Sequence, residues 1–319
     1  MLITISLTSS FKKLEYFHYG VISTLVFIVI LPLIDQKLIN FLGGFSILTV
    51  GILHGANDLK IISKRFKTKV GNLYVKSLLT YIFVVLTGAA FFFIAPSLSL
   101  LIFILFSSYH FGEQHWSDDV KQNIMGLFFY IIYGALVFFL IFSTQHLEVA
   151  EVMEKISGKD DFLHFINLPK SFNEFINSYL AFEFFVGVTF ALSVLFILNL
   201  IYSRLISKYL FRELILLMLL FILFYLSTLL FAFAFYFVVW HSIPSLKDQL
   251  NYLHGEVNLN SIKKYLKHSL LYWFLSIFSL FMIYKYVDFE STYFMSLFFS
   301  FLAAISFPHV IVVGMMKSK

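Results

Sequence analysis

The chain has 319 residues, of which 60% are hydrophobic, 20% aromatic and only 13% charged. Ordinary globular domains carry about 25% charged residues, so a soluble core alone does not account for this composition. The absence of cysteine excludes disulfides, thiolate metal sites and cysteine nucleophiles, and the formal charge of +5 is no sign of nucleic acid in a chain whose cytoplasmic loops are expected to be basic.

Apolar runs of roughly 18 or more residues read as transmembrane helices. Lys12 and Lys13 precede the first run. That run is too long for a signal-peptide core and lacks a small-residue cleavage site, so it is expected to be the first membrane helix. In chain order the expected spans are 17–34, 38–56, 72–95, 98–112, 124–143, 178–202, 211–225, 228–245, 266–286 and 292–315. The division near Leu226-Ser227-Thr228 rests on length. One helix from Glu213 to Trp240 would measure about 42 Å at about 1.5 Å per residue, against a hydrocarbon core of about 30 Å. A single long, tilted helix is the alternative.

Lys and Arg fall mostly on alternate connections. With Lys76 and Lys267 at helix mouths, 18 of the 23 basic residues lie on one side. Lys37, Lys155, Lys159, Lys170 and Lys285 lie on the other. The positive-inside rule then places both termini in the cytoplasm. The connection from Thr144 to Ser178 is the longest, external, and a candidate for a short surface helix. No internal repeat and no separate soluble domain is visible, so residues 1–319 read as one all-α polytopic bundle.

Four of the ten histidines, His54, His110, His241 and His309, lie inside or at the ends of spans. On this topology all four fall in the cytoplasmic half at similar depth, although merging the two spans near Ser227 would reverse His54 and His110 relative to His241. Polar groups in lipid usually face a bundle interior. Four imidazoles converging from four helices point to a metal site, and imidazole suits iron, copper, zinc and nickel. For each histidine alone, an interhelical hydrogen bond is a competing role. A ligating imidazole usually gives its other N–H to a carboxylate or carbonyl. Asp58 stands at i+4 from His54 and Glu113 at i+3 from His110, which makes them candidates to orient these rings. A solvated helix-end charge is the other reading of each. Pro244 and Pro308 each free a carbonyl one turn back, for a bend or for an imidazole. His115, at i+5 from His110, is a lesser candidate ligand or proton carrier. His18, His254 and His268 read as interfacial or loop residues, and His146 and His164 lie on the external side.

Several chemistries are not encoded. The HxxxH and HxxHH boxes of membrane desaturases are missing, as is the haem pattern of histidine pairs about fourteen residues apart on two helices. There is no HExxH, P-loop or GxSxG. No basic, aromatic face suggests nucleic-acid binding.

The motifs GILHGANDL (51–59), SSYHFGE (107–113), YFVVWHS (236–242) and FPH (307–309), in that order, resemble the Brp/Blh family of membrane β-carotene 15,15′-dioxygenases. The family's common forms are close to GLPHGALD, YHFGxxD, WHSxRH and PH. The resemblance covers most of the chain through order and spacing. It implies cleavage of the central double bond of β-carotene by dioxygen to two retinal molecules, at a non-haem Fe(II) held by histidines, in a multi-pass protein of a bacterial-type cell membrane. A functional link to a retinal-binding rhodopsin would follow. His54, His110 and His241 match ligand positions of the family. Its second histidine in WHSxRH falls at Ser245 here. Then His309 supplies the fourth nitrogen, or three histidines act with water, or the branch has lost activity. Leu53 replaces a proline and Asn57 a leucine, while Asp58 is retained. Tyr109, Tyr236 and Trp240 flank the proposed ligands and are candidates to grip a polyene in an aromatic-lined tunnel, with helix packing as the competing role. Two further readings stay open: a non-catalytic carotenoid or retinal binder, and a carrier using histidines as a proton relay.

Overall fold

The computed structural model describes residues 2–66, 72–157, 179–286 and 293–317. Among them every regular element is helical. The α-helices are α1 (Leu2–Ile30), α2 (Gln36–Ser46), α3 (Ile52–Gly55), α4 (Asp58–Arg65), α5 (Asn72–Ile94), α6 (Pro96–Trp116) and α7 (Ile124–Thr144). They continue with α8 (His146–Ser157), α9 (Tyr179–Tyr202), α10 (Ile206–Tyr225), α11 (Leu229–Phe235), α12 (Ile243–His254), α13 (Leu259–Tyr286) and α14 (Tyr293–Lys317). Two π-helical turns interrupt this order. Ile47–Gly51 joins α2 to α3, and Tyr236–Ser242 joins α11 to α12.

Among the described residues, seven stretches are long and apolar enough to cross a membrane: Tyr16–Leu33, Gln36–Arg65, Tyr74–Phe92, Ile124–Thr144, Phe182–Tyr202, Leu229–His254 and Leu297–Lys317. The three other expected spans are helical too, within α6, α10 and α13. Ionisable side chains shorten their apolar stretches: His110, Glu113 and His115 in α6, Lys208, Arg212 and Glu213 in α10, and Lys263, Lys264 and Lys267 in α13. The outward faces carry many large apolar side chains, as lipid contact favours. Val29, Phe83, Phe190, Phe211 and Phe281 are among the exposed large side chains.

The division near Ser227 is present, and its caps explain it. The carbonyls that end α10 have no partner within the helix. The Gln145 amide donates to those of Phe224 and Ser227, the latter at 2.9 Å. At the start of α11 the Thr228 hydroxyl accepts from the Phe231 N–H at 3.4 Å, and the Glu148 carboxylate accepts from the Leu229 N–H at 3.0 Å. Gln145 precedes α8 and Glu148 lies within it, so the expected helix on the long external connection is there. It is docked on the bundle, with Val149 and Ala150 buried. The remainder of that connection, His164 included, lies outside the described residues.

The stretch Leu229–His254 is the axis of the bundle. Every residue of α11 is buried. Around it pack α1, α2, α6, α7 and α10. The tightest seam joins α6 and α7, where two glycines bring backbones into contact. A Cβ at Gly112 would collide with the Tyr130 carbonyl, and one at Gly134 with the Ser108 carbonyl. Small residues are the usual means of such approach in membranes, where lipid tails are as apolar as leucine. The seam holds α6, and with it His110, at a fixed distance from the axis.

Candidate metal centre

His54, His110, His241 and His309 come together from four different segments. All are buried, at 4%, 4%, 1% and 5% exposure. One nitrogen from each lies within 4.8 Å of every other. Ring centroids are 4.6 Å apart for His54 and His309, 4.5 Å for His110 and His241, and 5.3 Å for His54 and His241. On the expected ten-span topology all four carriers run in the same direction, which would bring residues near their expected cytoplasmic ends to one depth.

The backbone around two of these histidines is not plain α-helix. His54 follows one π-turn by three residues, and His241 lies within the other. An inserted residue in a helix re-aims the side chains that follow it, and such bulges recur at functional sites. Within the second bulge the Ser242 hydroxyl donates to Phe237 O at 2.7 Å. Pro244 stands at the start of α12, where its missing N–H costs least.

Hydrogen bonds set two tautomers. His54 Nδ1 donates to the Gly51 carbonyl, leaving Nε2 with a free lone pair. His309 Nδ1 lies 2.9 and 3.0 Å from the two oxygens of Asp58, again leaving Nε2 unpartnered. This corrects the expected pairing of Asp58 with His54. The i,i+4 relation holds only along an unbroken helix, and here the chain breaks at Ala56-Asn57 so that Asp58 opens α4. Its carboxylate turns to α14 instead. Tyr81 of α5 donates to Asp58 Oδ2 at 2.9 Å, completing a Tyr81–Asp58–His309 line. The sequence held no signal for Tyr81, which is one of 18 tyrosines.

Glu113 is buried beside His110, with 4.0 Å between Oε2 and Nδ1. That is too long for a hydrogen bond. Its other oxygen accepts from Tyr109 at 3.0 Å and Gln122 at 3.3 Å. Ser245 is not among the converging groups. It sits one turn beyond His241 and accepts from Gln249 Nε2 at 3.4 Å. Gln249 in turn accepts from the Tyr265 hydroxyl at 2.7 Å, which lies 3.1 Å from the His54 carbonyl. Burial, and then the nearby Asp58 carboxylate, push the Tyr265 phenol above its usual range, so it stays a donor. Ser245 thus supports the backbone at His54 from a distance.

His115 points away from the cluster. Its Nε2 lies 3.3 Å from the buried Glu213, which Arg212 also contacts. Tyr133 stacks on its ring at 4.7 Å. Tyr109, Tyr236 and Trp240 pack between helices: Tyr109 on Tyr130, Tyr236 on Phe111, and the Trp240 indole on Gly20, with its N–H donated to Thr24 at 3.3 Å. Phe237 and Phe111 make the apolar wall of the centre, with ring centroids 5.6 and 4.9 Å from that of His241.

The donor set fits a metal ion. His54 Nε2, His309 Nε2 and both nitrogens of His110 and His241 are buried without a hydrogen-bond partner. Buried polar groups are almost always paired, and an unpaired one costs about 1–3 kcal/mol. A shared cation removes that cost for several nitrogens together. Imidazole nitrogens bound at about 2.1 Å lie at most about 4.2 Å apart, so the four need close only slightly. Asp58 and Glu113 supply negative charge nearby.

A family model described as beta-carotene 15,15'-dioxygenase matches residues 45–317, a stretch that contains all four histidines. No curated protein and no solved structure gave a match. The match covers most of the chain and ends beyond His309, so the chain belongs to the β-carotene 15,15′-dioxygenase family.

Proposed function

We propose that this chain cleaves the central double bond of β-carotene with dioxygen, at an iron held by His54, His110, His241 and His309. The observation that carries the reading is the convergence of four buried imidazoles whose free nitrogens find no protein partner. His309 takes the fourth position that Ser245 leaves open. Iron(II) in this all-nitrogen setting would supply the redox chemistry that activates dioxygen.

The chain's own residues do the rest. Gly51 and Asp58 hold His54 and His309 in the tautomers that present Nε2. Phe111 and Phe237 exclude water from the centre. The overall reaction breaks one C=C bond and forms two C=O bonds. It consumes both oxygen atoms and requires no external reductant and no net proton. The His115–Glu213 pair is therefore not needed as a proton relay, and its hydrogen bonds and ring contacts give it a packing role. β-Carotene dissolves in the bilayer, so a membrane enzyme receives it without passage through water. The retinal formed would suit a rhodopsin in the same membrane.

The test is protein purified without oxygen, assayed for iron and then given β-carotene with ¹⁸O₂. The aldehydes are reduced at once to alcohols to stop exchange with water. One iron per chain and one label in each retinal product are expected. Folded protein without iron, or unlabelled product, would overturn the reading.

A further inference from the structure

We propose that the cavity between α5, α13 and α14 is the lipid-side portal and holding slot through which an elongated apolar polyene reaches the four histidines. This rests on the function proposed above and adds the route. The cavity measures about 560 Å³. Ligand sites generally occupy about 300–1,000 Å³. His54, Asp58 and His309 line its inner end, so it meets the candidate metal centre directly.

Its mouth faces the bilayer. Ile82 and Leu86 of α5 and Leu271 and Leu275 of α13 line the cavity, and the same residues are 44%, 62%, 61% and 48% exposed on the outer surface. A chain expected to be surrounded by lipid at this depth opens there to lipid and not to water. Between mouth and centre the polar groups are satisfied within the protein. Ser276, Ser279 and Ser306 each donate to a carbonyl of their own helix, at 2.9, 2.8 and 2.7 Å. The Tyr272 hydroxyl pairs with that of Tyr74 at 2.7 Å, tying α13 to α5 beside the slot. Tyr81 is spent on Asp58. The wall offers a guest mainly apolar contact, and the protons of its three serine hydroxyls are already committed to backbone carbonyls. That selects a long hydrocarbon and disfavours a polar headgroup.

The test fills the slot away from the centre. Ser276→Trp narrows its middle and Leu86→Trp its mouth, where lipid tolerates the larger ring. Phe221→Trp, on the exposed face of α10 and outside the cavity, is the control. Each is assayed for folded yield, iron content and retinal formation at subsaturating β-carotene. At least a tenfold fall for Ser276→Trp and Leu86→Trp is expected, with iron unchanged and the control at wild-type rate. Wild-type turnover by both folded, iron-loaded slot variants would overturn the route while leaving the function intact. A diazirine-bearing polyene provides the second measurement and does not depend on turnover. Photolabelling of α5 and α13 peptides supports the route even if wild type yields no retinal. Labelling confined to other helices overturns it.

Discussion

Asp58→Asn is the most informative single change, because the structure separates its effect on geometry from its effect on charge. Asp58 is 2% exposed and touches His309 Nδ1 with both oxygens. An asparagine oxygen can still accept from Nδ1–H, so the tautomer survives. The charge does not, and charge-assisted hydrogen bonds are roughly twice as strong as neutral ones. Loss of a partner of this type costs about 10–100-fold in metal affinity, or about 1.4–2.8 kcal/mol. Asp58→Asn belongs near the tenfold end. Asp58→Ala strips the acceptor, leaves Nδ1 buried and unpaired, and belongs near a hundredfold. Tyr81→Phe, one step further out, should cost about threefold. Iron affinity measured anaerobically against a competing chelator reads this series. Wild-type affinity in folded Asp58→Ala would refute the reasoning, since His309 would then need no partner to bind.

Three other substitutions divide ligands from supports. His115→Gln should keep iron content and retinal formation per folded chain; loss of iron in stable protein would make His115 a ligand. Ser245→Ala should also keep iron and lower stability by about 1 kcal/mol, the loss of one hydrogen bond, read as a downward shift in Tm in detergent. Thr228→Ala removes the cap of α11 and should destabilise by about 1 kcal/mol, with hydrogen exchange rising first at Leu229–Phe231; unchanged exchange there would show that Glu148 alone caps this helix.

Much of the bundle was legible because lipid imposes length and polarity on each span. The four histidines were legible for a related reason. Counting spans fixes direction, and direction places His54, His110, His241 and His309 at one depth without any knowledge of packing order. The role of Asp58 was only half legible. Its type and position pointed to a ligand-orienting carboxylate, but its partner depended on a π-turn at Ile47–Gly51 and a break at Asn57. The i,i+4 rule does not see either. The aromatic tunnel expected around Tyr109, Tyr236 and Trp240 is not where the large cavity lies. These side chains fill seams between helices, whereas the slot wall is mainly aliphatic. No periodicity announces which faces of α5, α13 and α14 enclose that slot, because helices that are apolar all round carry no facial signal.

The most direct test of the central claim is expression in a bacterial strain that accumulates β-carotene, beside a His54→Ala control, with β-carotene and retinal quantified by chromatography. The account predicts loss of orange colour and accumulation of retinal in the wild type alone. Unchanged β-carotene in cells whose membranes hold folded, iron-loaded wild-type protein would contradict it.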